Sequence, residues 1–113
     1  MKYLPVTLGA LTIVAAASMA VVAAQAPDQT QLAARGQLIL AEKCARCHAI
    51  DRAGASPLDA APAFRDLHKR YPVAMIAEAL AEGIVTGHPD MPSIPFVQDD
   101  IDAIIGYIES LSP

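Results

Sequence analysis

The stretch EKCARCHAI, residues 42–50, contains both cysteines of the chain, Cys44 and Cys47, with His48 directly behind the second. Two thiols two residues apart, with an imidazole on their C-terminal side, fit three chemistries: a disulfide, a zinc ion or a covalently attached haem. The rest of the sequence discriminates among them.

Compartment comes first. Residues 1–24 open with Lys2 and continue as an uncharged, Ala-rich apolar run from Leu8 to Ala24, the plan of a secretory signal peptide. Val22-Ala23-Ala24 offers small or modest residues where a signal peptidase reads, so cleavage is expected after Ala24. A cut after Ala26 would leave Pro27 beside the scissile bond. An uncleaved membrane anchor is the alternative, but the run falls short of the ~20 residues that a bilayer requires. The expected location is therefore the periplasm.

Removing residues 1–24 from 113 leaves 89, expected as one domain over residues 25–113, and losing Lys2 moves the formal charge from −4 to −5. A mildly acidic chain with no basic cluster argues against nucleic acid and against an anionic membrane surface as partner. So short a domain buries little apolar surface, and exported domains of this size usually carry a staple. A Cys44–Cys47 disulfide would close a very small loop and constrain the unfolded chain little.

The punctuation is that of a helical protein. Asp28 as N-cap, with Gln31 three residues on, starts a helix expected to run to about Arg46, with Leu32, Gly36, Leu40 and Cys44 on one face. The stretch DRAGASPLDAAPAF reads as a loop, followed by a short helix near residues 63–70. Pro72 suits the first position of another helix, in which Val73, Ile76, Ala77 and Leu80 share a side, and Gly83 is the natural stop. Residues 84–96, with three prolines and a glycine, are irregular. A last helix is expected from about Gln98 to Leu111, with Ile101, Ile104, Ile105, Ile108 and Leu111 as its apolar stripe and acidic residues in its first turn. The expected fold is all-α, three or four helices with long loops that wrap something.

A thioredoxin-like dithiol belongs in a βαβ setting, which this chain lacks, and gives His48 no role. Structural zinc takes four ligands, and adding His68 or His88 to the motif resembles no zinc module. Haem attachment accounts for all three residues: each thiol adds across one vinyl group, and His48 falls under the iron as proximal ligand.

With these residues in view, the chain resembles a small monohaem cytochrome c of the class I type, from about Gln31 to Leu111. The family carries a glycine eight residues before the first haem cysteine, here Gly36, which lets the first helix meet an aromatic of the last, here Tyr107. It departs from the family at Leu40, where an aromatic is usual. The resemblance implies that Pro62, or less well Pro57, accepts the N–H of His48, and that Met91, followed by Pro92, is the sixth iron ligand. It also implies a haem lined by Leu80, Ile84, Ile94, Phe96, Ile104 and Ile108. Arg46, Arg52, Arg65 and Tyr71 become candidates for the haem propionates.

Among the other candidates, Met75 reads as core packing, His88 as a surface loop residue with a minor claim to the iron, and His68 as solvent-exposed. The expected activity is single-electron transport with no bond-making chemistry, through cofactor-binding residues Cys44, Cys47, His48 and Met91 and metal ligands His48 and Met91. Partners are expected to be transient redox proteins, a dehydrogenase, oxidase or reductase, meeting a monomer. The alternatives are a dedicated haem subunit of a periplasmic dehydrogenase, or a haem-based ligand sensor.

Overall fold

A computed structural model describes residues 28–83 and 90–113 of the chain. The expected leader, together with His88 and Ile84, lies outside the described residues. Helix α1 spans Gln29–Lys43, α2 spans Ile76–Glu82 and α3 spans Gln98–Leu111, with two 3-10 turns at Phe64–Lys69 and Val73–Met75 between the first and second helices. Among the described residues there is no strand, so the all-α expectation holds. None of the described helices is long and apolar enough to cross a membrane.

Helix α1 begins at Asp28, whose carboxylate accepts from the Thr30 N–H at 3.4 Å. It stops earlier than the apolar spacing implied. Cys44 leaves the helical region at φ −124°, ψ −25°, while its N–H still reaches the Leu40 carbonyl. The motif itself is a turn, closed by bonds from the N–H groups of Cys47 and His48 to the Cys44 carbonyl at 3.1 and 3.0 Å.

The fold rests on the packing of α1 against α3. A Cβ on Gly36 would clash with the Ala103 carbonyl oxygen and come within 2.8 Å of the Tyr107 Cβ. Only glycine permits that approach. Leu40, one helical turn on, is 2% exposed, and Ile101 and Ile104 are 1% exposed. The aliphatic residue at position 40 thus fills the space where the family usually places a ring.

The short helix expected near residues 63–70 forms as the 3-10 turn Phe64–Lys69, with Phe64 and Leu67 buried. Pro72 precedes its helix rather than opening it, because its ψ of 128° is extended. Val73 and Leu80 are buried and Ile76 and Ala77 half-buried, as their shared side required. Met75 is a correction: it is 69% exposed, because a three-residue 3-10 turn, wound more tightly than an α-helix, precedes α2 and breaks the 3.6-residue register. Gly83 ends α2 at φ +80°, a conformation that side chains resist. The Phe96 N–H then donates to the Leu80 carbonyl at 3.0 Å, fastening the segment before α3 to α2.

Candidate functional site

The residues that follow α1 gather around His48. Its Nδ1 lies 2.8 Å from the carbonyl oxygen of Pro62. A carbonyl only accepts, so Nδ1 carries the proton and Nε2 is left with the ring's lone pair. Phe64 stacks on the imidazole, with centroids 4.8 Å apart and planes 23° from parallel. The Phe64 N–H donates to the Ala49 carbonyl at 3.0 Å, binding the bracing segment back to the motif. The imidazole is thus fixed in tautomer and orientation. The resemblance singled out Pro62 for this role, and the geometry has Pro62 in it rather than Pro57.

Phe64 as a stacking partner was not foreseen from the sequence. Its distance of two residues from Pro62 was the available signal, since whatever follows the carbonyl must pass close to the ring.

Cys44 and Cys47 are both half-buried and are not joined to each other. Burial pushes the Cys44 thiol up to about 11, and the neighbouring Cys47 pushes in the same direction. Among the described residues no three His, Cys, Asp or Glu side chains converge to hold a metal ion. That leaves zinc without a ligand set there. Two cysteine sulfurs beside one imidazole nitrogen kept as a lone-pair donor form the donor set that covalent haem requires.

Met91 is half-buried in the irregular segment before α3, between exposed Asp90 and exposed Pro92. Two grooves on the described surface are lined by residues other than Cys44, Cys47, His48 and Met91.

Two of the arginines named as propionate candidates donate to backbone carbonyls. Arg52 donates to the Ser110 carbonyl at 2.5 Å, in the last turn of α3, where free carbonyls attract cations. Arg65 donates to the Asp51 carbonyl at 3.2 Å and to the Gly54 carbonyl at 2.6 Å, clasping the loop after the motif. Arg46 and Tyr71 are exposed. His68 is a further correction. It is half-buried, and its Nδ1 is buried without a hydrogen-bond partner among the described residues. The 3-10 winding again defeats a reading made at 3.6 residues per turn.

Comparison with known proteins agrees with this chemistry. The family described as cytochrome C oxidase, cbb3-type, subunit III matches residues 31–108. Cytochrome c-552 of Bradyrhizobium diazoefficiens is 32% identical over 100 residues, covering 88% of each chain. No solved structure gives a significant match. The family match takes in the Cys44–His48 motif and most of the helical region, and the chain therefore belongs to the c-type cytochromes, an electron-transfer family whose resident cofactor is a covalently bound haem c.

Proposed function

We propose that residues 25–113 form a periplasmic electron carrier, exported by a leader at residues 1–24 that is removed. In this reading Cys44 and Cys47 hold the haem by thioether links, and His48 Nε2 and the Met91 sulfur are its axial ligands. The haem supplies a one-electron Fe(III)/Fe(II) couple. The chain's own residues set its terms. The Pro62 carbonyl fixes the His48 tautomer and raises the basicity of Nε2. A Met91 thioether, soft and neutral, favours the reduced state and raises the potential. With both axial positions taken by side chains, no site remains for a substrate, so no catalytic activity is expected.

The observation that carries this reading is the 2.8 Å contact from His48 Nδ1 to the Pro62 oxygen. It has no use in a disulfide or in an isolated surface histidine, and it prepares Nε2 as a donor.

A second reading has its own support. The matching family is described as a subunit of a cbb3-type oxidase, which favours a haem subunit held by a larger redox complex over a freely diffusing carrier. The two differ in whether the purified chain is monomeric and exchanges electrons with soluble partners.

The test is an absorption spectrum of the chain expressed with a c-type maturation system, alongside Met91→His. Colour should survive extraction with acidified organic solvent, and the red-region sulfur–iron band should be present in wild type and absent in the variant. A wild type without that band removes Met91 as ligand. Colour lost on extraction removes the thioether links.

A further inference from the structure

Charge is divided unequally along this chain. All eight lysines and arginines fall within residues 1–70, whereas residues 71–113 contain seven acidic residues and neither lysine nor arginine. That acidic half supplies α2 and α3, and a groove of about 320 Å³ opens where these helices meet the start of α1. Its floor is small and apolar, formed by Leu32, Ala74, Ala77 and Gly106, and its edge carries Asp102 and Glu109. A Cβ on Gly106 would find nothing nearer than the Leu32 Cβ at 4.0 Å, so the space at the floor is real. Met75, next in sequence to Ala74, leaves 69% of its surface in solvent, and flexible methionines suit adaptable binding surfaces.

We infer that this groove is the seat for a basic amphipathic segment of a partner protein, whose apolar side chains enter between Leu32, Ala77 and Gly106 while its lysines or arginines face Asp102 and Glu109. The charge balance selects the occupant. The groove is lined by two carboxylates and no cation, so an acidic or neutral-polar partner gains nothing from the edge, and electrostatic complementarity favours a basic one. Leu32 and Cys44 are twelve residues apart, and at 1.5 Å per residue that is about 18 Å along α1. A partner whose apolar side chains centre on Leu32 therefore sits that far along α1 from the motif. The inference does not depend on which side chains ligate the iron.

The experiment uses the reduced holoprotein, labelled with nitrogen-15, and titrates a synthetic leucine–lysine amphipathic helix. A lysine–serine peptide of equal charge is the control. Saturable amide shifts are expected at Leu32, Ala74, Ala77 and Gly106, with weaker binding at high salt. Combining Asp102→Asn with Glu109→Gln, both exposed, should weaken binding about tenfold. The proposal is overturned by equal binding of the lysine–serine peptide, by shifts centred on Arg46 and Leu58, by an unaffected double variant, or by no saturable binding at all.

Discussion

The hydroxyl of Tyr107 donates to the carbonyl oxygen of Ile50 at 3.1 Å. The side chain that meets Gly36 at the helix crossing therefore also holds the loop that leaves His48. Packing of α1 on α3 and the path of the chain beside the haem-attachment motif are coupled through one residue.

Tyr107→Phe keeps the buried ring but leaves the Ile50 carbonyl without its donor, at a cost of about 1–2 kcal/mol. The variant also separates a pH effect. Burial raises the Tyr107 phenol above its ordinary value, the Asp51 carboxylate adds to the rise, and Arg52 opposes it. The folded state thus holds that proton more tightly than the unfolded state does. Its contribution is complete below the usual tyrosine value of about 10 and is lost as pH climbs through the folded value. Urea midpoints measured from neutral to strongly alkaline pH should fall in wild type above that point and fall less in Tyr107→Phe.

Gly36 and Gly106 lie in helices that press on each other, yet replacement by alanine should act with opposite sign. Helix propensity alone favours alanine at both by about 0.8–1 kcal/mol. At Gly36 the new methyl would strike the Ala103 carbonyl and the Tyr107 Cβ, and overpacking of a tight core costs roughly 1–3 kcal/mol or more. At Gly106 the nearest atom is 4.0 Å away. Thermal unfolding should show Gly36→Ala destabilised and Gly106→Ala stabilised; a stable Gly36→Ala protein would mean that the helices do not cross as described.

Arg65 clasps the Asp51 and Gly54 carbonyls with two guanidinium nitrogens. A lysine ammonium is a compact point charge and cannot span both in the same way. Arg65→Lys should therefore speed amide exchange over residues 51–54 by about tenfold, corresponding to roughly 1.4 kcal/mol of local opening. Unaltered exchange would mean that Arg65 does not hold this loop.

Much of this was legible in the chain. The apolar stripe of α3 gave its limits, Gln98–Leu111, because five large aliphatics recur at helical spacing with carboxylates in the first turn. Gly83 announced the end of α2. The motif was readable from its spacing, and the two remote features tied to it, Gly36 and Pro62, through the resemblance to class I cytochromes c. The errors cluster in residues 64–75, where 3-10 turns replace α-helix: Met75 turns out to solvent and His68 turns partly in. The contacts of Arg52 and Arg65 were not foreseen for a different reason: their partners are backbone carbonyls, which every residue possesses and no sequence pattern marks.

Phe64 offers the sharpest separation of packing from ligation. It is 9% exposed and stacks on His48 at 4.8 Å. Phe64→Ala should cost about 3–5 kcal/mol by leaving a cavity. Phe64→Leu keeps most of the volume and should cost less than about 1.5 kcal/mol, but it removes the flat surface that restrains the imidazole. If His48 is the proximal ligand, protons compete with iron for Nε2, and a less restrained ring yields to protons sooner. Acid titration followed by absorption should then collapse at higher pH in Phe64→Leu than in wild type, at nearly equal stability. An unchanged acid midpoint would reduce Phe64 to a core residue, with the Pro62 carbonyl alone orienting the ligand.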